Sequence, residues 1–359
     1  MGNTQMVPNI FTYATKELSQ DALICWLVAC AKDETDERLR ECGRKFVQAL
    51  MRSGDGAVID VSNDSPTRVR HVGSYDVGGV LDGPEPQYQK IDVYFQAEVD
   101  GKRVSFVIED KTDTEMHGDQ LERYRSIVQG DKYEEDLIKP VYFKTGYVFH
   151  DEREKANSNG FSVFNGEDML AFLNEGQCAD AHEILRQFAE HLGGQVKERH
   201  RALEEWQLKH GFVQWEFMVA LRKVLRTEKE MWPGKGVNTG GSAWTQYPHW
   251  DDRGSLFWRL DSWMPLRLML NTRKVGTRDI VLRRWETWSR AFEDVRKESG
   301  LDMGKFRRVR SRKGGLVKEG TIGAVDIASC LRVEGLDKCV ARVERLYRAF
   351  KASVGAELS

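Results

Sequence analysis

"KIDVYFQAEVDGKRVSFVIEDK", residues 90–111, alternates apolar and polar side chains with period two on either side of Asp100-Gly101. That is the pattern of two antiparallel strands joined by a two-residue type I′ turn. With 100 and 101 in the turn, cross-strand partners are positions whose numbers sum to 201, so Val99 faces Lys102, Ala97 faces Val104, Phe95 faces Phe106 and Val93 faces Ile108. The same sum sets Asp92 against Glu109 on the other face, with Cβ atoms about 4.5–5.5 Å apart. Lys111, two residues past Glu109, shares that face. Facing carboxylates repel unless positive charge lies between them. Lys111 together with a divalent cation meets that need, because hard cations such as Mg²⁺ take oxygen ligands and can activate a water against a phosphodiester. The alternative is an ordinary ion pair between Glu109 and Lys111 at an exposed strand end.

Upstream, residues 20–31 are apolar on every side, which predicts a buried helix with Ser19 as N-cap and Asp21 in its first turn. A second helix is expected over 36–52. The stretch 54–89 is rich in Gly, Asp, Ser and Pro around two strand candidates, "AVIDV" and "TRVRHVGSYDV". Downstream, Leu121, Tyr124 and Val128 recur at helical spacing within 115–129, and "KPVYFKTGYVF" reads as a strand held off by Pro140. The order to about residue 150 is helix, strands, helix, strand.

These elements resemble the PD-(D/E)XK nuclease superfamily, in particular bacterial members with a helical N-terminus like "NIFTYATKELSQDALICWLV". "KIDVYF", "FVIEDKT" and "GDQLERY" look like its Asp, its Glu-x-Lys and the Gln-x-x-x-Tyr element of RecB-like nucleases, over roughly residues 9–175. The resemblance implies a restriction-endonuclease-like fold, a mixed central β-sheet flanked by helices. It implies that Asp92, Glu109 and the carbonyl of Asp110 hold Mg²⁺ or Mn²⁺ while Lys111 acts at the attacking water. Glu17 resembles an acidic residue that some members bring to the metal from the first helix; a simple favourable charge near a helix start is the other reading. Gln120 and Tyr124, at i and i+4, share a helix face beside the active site; Tyr124 in the core and Gln120 on the surface is the other reading. Ile91 stands where the family name has proline.

A length of 359 residues exceeds the roughly 250–300 at which single cores stop growing, and so predicts two domains. The expected division is a nuclease-like domain over 1–192, a helical connector over 193–231 and an α+β C-terminal domain over 232–359 that recognises substrate or regulates access. In these parts Leu203, Trp206, Val213, Phe217, Leu221 and Val224 mark helices interrupted at Gly211, and the Gly- and Trp-rich 232–250 reads as a loop. "SLFWRLDSW" and "PLRLMLN" read as strands, 279–297 as a helix, and Val340, Val343, Leu346 and Phe350 mark a closing helix.

With 54 basic and 56 acidic residues and a net charge of −2, no global attraction to nucleic acid exists, so any basic footprint is local. "KFRRVRSRK", 305–313, supplies one: Lys305, Arg307, Arg308, Arg310, Arg312 and Lys313 suit phosphate contacts, or a solvated edge. Trp244, Trp250, Trp258, Trp263, Trp285 and Trp288 suit a core better than base stacking, and His249 in "YPHWDD" suits a turn.

The longest apolar run, "ALICWLVACA", is half the ~20 residues of a membrane span. The six cysteines form no CxxC pair, so a reducing, cytoplasmic setting is expected. The expected activity is metal-dependent hydrolysis of phosphodiesters, DNA first, in a bacterial restriction or defence setting. The rivals are a silent nucleic-acid or nucleotide-binding module, and a subunit active only with a partner protein or as a homo-oligomer.

Overall fold

The computed structural model describes residues 9–13, 17–32, 35–60, 67–70, 76–86, 91–114, 123, 137–175, 177–225, 233–237, 243–247, 256–262, 265–274, 277–305, 311–312, 315–316 and 318–358. The chain forms two compact units, Met1–Arg199 and His200–Ser359.

The first unit is mixed α/β, a mixed sheet flanked by helices. Helix α1 (Glu17–Cys30) starts two residues before Ser19, which therefore lies inside the helix and does not cap it. Helix α2 (Glu37–Arg52) is capped by Asp36, whose carboxylate accepts from the amides of Arg38 and Leu39. Strands β1 (Ala57–Asp60) and β2 (Thr67–Arg70) follow. The Gly- and Pro-bearing segment 77–86, expected to be irregular apart from its first residue, is strand β3 (Val77–Pro86). It is an edge strand with register shifts, where proline and glycine are tolerated.

Strands β4 (Val93–Val99) and β5 (Lys102–Lys111) pair in the register the turn dictates, from Val99↔Lys102 to Val93↔Ile108. Asp100 (φ 51°) and Gly101 (φ 73°) both take positive φ, as a type I′ turn requires. Phe95 and Phe106 stack across the pair with ring centroids 4.5 Å apart.

Strand β6 (Leu137–Lys144) runs parallel to β5 and passes through Pro140, which does not delay its start. The other edge of β6 is shared. Its first residues pair with β1 as far as Ile138, and Val141 onward pairs with β7 (Ser162–Asn165). Pro140 falls at the changeover, where that edge needs no N–H.

Helices α3 (His150–Ser158), α4 (Gly166–Glu175) and α5 (Glu183–Glu204) complete the described part of this unit, whose residues in α5 end at Arg199. The sheet order is β2-β1-β6-β5-β4-β3, with β7 on β6. One face, carrying Val93, Phe95, Phe106 and Ile108, shares a core with Ile24, Leu27, Phe46 and Leu50 of α1 and α2. The other, carrying Val107 and Tyr142, packs on Ala156 of α3 and on Phe161.

In the second unit an antiparallel sheet runs β14-β11-β10-β9-β8. Its strands are β8 (Gly234–Val237), β9 (Ala243–Tyr247), β10 (Leu256–Asp261), β11 (Leu266–Asn271) and β14 (Glu319–Val325). The stretch 232–250 thus supplies two strands and is not a loop throughout. Helices α6 (Gly211–Leu225), α7 (Arg278–Ser299), α8 (Ile327–Glu334) and α9 (Leu336–Leu358) share its core, so Phe217 and Leu221, within 193–231, belong to this core. Trp258, Trp285 and Trp288 are fully buried there, which removes them as base-stacking platforms. Strands β12 (Ser311–Arg312) and β13 (Gly315–Leu316) form a separate short pair.

Candidate active site

Period-two alternation puts Glu109 and Lys111 on the face of β5 that bears Val107, and Asp110 on the face toward α1. Asp92 immediately precedes β4 and lies beyond its last ladder pair, so it is not a register partner of Glu109. It reaches the same place another way: its Oδ2 accepts from the backbone N–H of Asp110 at 2.9 Å.

Three carboxylates surround one ammonium. Lys111 Nζ lies 2.7 Å from Glu109 Oε1, 3.6 Å from Asp92 Oδ2 and 3.8 Å from Glu17 Oε2. It also donates to the carbonyl of Asp110 at 2.7 Å. Glu109 is fully buried and Lys111 nearly so, whereas the Glu17 side chain is about a third exposed, 34%. Glu17, at the first turn of α1, also accepts from Thr114 Oγ1. Burial disfavours the Lys111 ammonium, but Glu109, Asp92 and Glu17 together outweigh it and raise its pKa above the ordinary value. Lys111 is therefore a cation at neutral pH.

On the opposite face, Asp110 turns its side chain toward α1. Gln20 Nε2 donates to Asp110 Oδ1 and to the Lys111 carbonyl (3.2 Å), and Gln20 Oε1 accepts from Thr145 Oγ1 at 2.5 Å. Asp21 Oδ1 and Asp110 Oδ2 are both buried without a hydrogen-bond donor, and the two carboxyls lie within hydrogen-bonding reach. Burial first, then the neighbouring Asp21, pushes the Asp110 carboxyl well up. Burial and then Asp92 raise Asp21 to about 6. The hydrogen bond between the two carboxyls raises Asp110 and lowers Asp21, so Asp110 is the donor of the pair, and its Oδ1 stays free to accept from Gln20.

Strand β6 adds a second lysine beside the site. Lys144 is in register with Lys111, and Tyr142 with Glu109. Lys144 is fully buried and held by both oxygens of Glu152 at 2.8 and 2.9 Å. Glu152 also accepts from the Phe149 amide at the start of α3. One ammonium and one amide thus close on one carboxylate, a structural ion pair that flanks the acidic group.

The structure brings together Glu17, Asp92, Glu109, Lys111 and the Asp110 carbonyl. Gln120 and Tyr124 lie outside the described residues, as do Arg307, Arg308, Arg310, Lys313 and His249. Lys305 is exposed, and Arg312 is described only as part of β12. Gln20, Lys144 and Glu152 were not singled out from the sequence, and Asp21 only as an acid in the first turn of a helix. The signal for Lys144 was present, since "LIKPVYFK" places two lysines in an otherwise apolar strand. The other one, Lys139, is structural, donating to the carbonyls of Ser53 and Ala57 and to Ser162 Oγ.

The donor chemistry here, carboxylates plus a backbone carbonyl, suits a hard divalent cation. The oxygens are arranged around the Lys111 ammonium, and among the described residues no group of three or more His, Cys, Asp or Glu is assembled to hold a metal. No described helix is long and apolar enough to cross a membrane. Comparison of the chain with known protein families, with curated proteins and with solved structures finds no match.

Proposed function

We propose that the chain is a metal-dependent phosphodiesterase of the PD-(D/E)XK type, with a restriction-endonuclease-like first unit, acting on nucleic acid and on DNA in particular. One observation carries this: carboxylates from α1, from the approach to β4 and from β5 converge on a single lysine. Carboxylate oxygens and a backbone carbonyl gathered in a partly buried place are the donor set a hard divalent cation takes.

Asp92, Glu109 and the Asp110 carbonyl would hold the cation, with Glu17 reaching it from the helix. When bound, it supplies charge to stabilise the phosphodiester as negative charge develops, and it lowers the pKa of a water. Lys111, whose ammonium lies among these carboxylates, would donate hydrogen bonds and positive charge at Nζ toward the phosphodiester and the attacking water. Asp92, tied to the amide of residue 110, keeps the acidic group registered on the end of β5.

The test is cleavage of single- and double-stranded DNA and RNA, linear and circular, with Mg²⁺, Mn²⁺ or EDTA. Glu109→Gln and Lys111→Met should each lose at least about 100-fold in rate. Full metal-dependent cleavage by Glu109→Ala would remove this site from the chemistry.

A second reading, a fold kept for binding nucleic acid or nucleotide without hydrolysis, is favoured by the placement of the Lys111 ammonium where metal donors would otherwise meet. It predicts ligand retention without turnover whether or not metal is added.

A further inference from the structure

Gln20 ties α1, β5 and the residue that follows β6 together at the site. It is nearly buried, 7% exposed, and nothing in its helical position demands a polar residue, since its neighbours Leu23, Ile24 and Leu27 are core. Its amide uses both N–H groups and its oxygen. The donors go to Asp110 Oδ1 and the Lys111 carbonyl, and the acceptor takes the Thr145 hydroxyl at the end of β6. The Lys111 carbonyl is held a second time by the Thr145 backbone N–H at 3.2 Å.

The geometry matters because Glu17 and Lys111 meet only if the first turn of α1 is docked against the exit of β5. Glu17 lies three residues before Gln20, one turn away on the same side of the helix. Fixing Gln20 to residues 110 and 111 therefore fixes how far Glu17 Oε2 stands from Lys111 Nζ.

We propose that Gln20 is a positioning residue that sets the spacing of Glu17 and Lys111, and through them the cation affinity of the acidic group. This rests on the nuclease reading above. Two donors and one acceptor in this layout are what a primary amide offers. Methionine keeps the length without the bonds, and glutamate would aim a carboxylate at the Lys111 carbonyl.

The experiment measures Mn²⁺ binding by calorimetry on the full chain, alongside kcat and KM on a DNA duplex, for wild type, Gln20→Met, Thr145→Val and Thr145→Ser. Gln20→Met should bind Mn²⁺ at least about tenfold more weakly and lose kcat by a similar factor, with KM within about twofold, the pattern of second-layer support for a metal site. Thr145→Val should show a smaller loss of the same kind, and Thr145→Ser, which keeps the hydroxyl, should match wild type. Folded Gln20→Met with wild-type Mn²⁺ affinity and kcat overturns the role of Gln20 and leaves the nuclease reading standing. If Gln20→Met does not fold, equal behaviour of the valine and serine variants at 145 overturns it. Wild type that neither binds Mn²⁺ nor cleaves overturns the nuclease reading and this inference with it.

Discussion

Asp21→Asn should stabilise the first unit at neutral pH and leave it unchanged in acid. The Asp21 carboxyl is raised from 3.8 to about 6, by burial first and by Asp92 next, against the hydrogen bond from Asp110 and the attraction of Lys111. A carboxyl whose folded pKa exceeds its unfolded one binds more protons in the folded state, so stability falls as pH rises between the two values. The penalty is absent below the unfolded value of 3.8, grows through the interval and is complete above about 6. At roughly 1.36 kcal/mol per unit, the shift amounts to about 3 kcal/mol. Asparagine carries no charge to bury and can still accept from Asp110, so the variant should gain up to that amount at about pH 7.5 and nothing near pH 4. The assay is urea unfolding at both pH values, followed by hydrogen exchange of peptides from α1 and β5 so that only the first unit is scored. A variant no more stable than wild type at the higher pH, or one equally stabilised at both, would refute the account of a proton shared by Asp21 and Asp110.

Lys111→Met, besides losing cleavage, should be destabilised by about 3–5 kcal/mol because three carboxylates lose the ammonium they share; added Mn²⁺ should return part of that stability in a thermal melt. Glu152→Gln should cost a similar ~3–5 kcal/mol by leaving the Lys144 ammonium in a fully buried place, and Lys144→Met combined with Glu152→Gln should cost less than the single change, which a double-mutant cycle in urea would show. Gly320→Ala should lower the melting point of the second unit, since a Cβ there would collide with the Trp285 ring, at a cost of ~1–3 kcal/mol for overpacking. The Gly320 change should leave cleavage per folded molecule unchanged, which a rate normalised to active sites would test.

How much of this was legible follows from the range of the forces involved. The β4–β5 register, the turn at 100–101 and the shared face of Glu109 and Lys111 are near-neighbour properties. Alternation and turn chemistry act over a few residues, and the sequence displays them directly. The start of α1, the path of β6 through Pro140 and the strands within 232–250 were misread because propensity was overruled from a distance. Proline is tolerated where a strand edge changes partner, and glycine-rich segments become strands where a neighbouring strand satisfies their backbone.

The candidate site divides in the same way. The sequence by itself determined that Glu109 and Lys111 end one strand on one face and that Asp92 enters the paired strand nearby, because a period-two backbone leaves no other choice. Only the tertiary structure decided that Glu17, Gln20 and Asp21 arrive at that strand end from a helix some ninety residues earlier in the chain. It also decided that Asp92 reaches Lys111 through the amide of residue 110 rather than through the ladder, and that Asp110 faces away from the ammonium toward a second carboxyl. These are consequences of how an apolar helix docks on a sheet, and the polar groups carried with it must find partners wherever that docking leaves them.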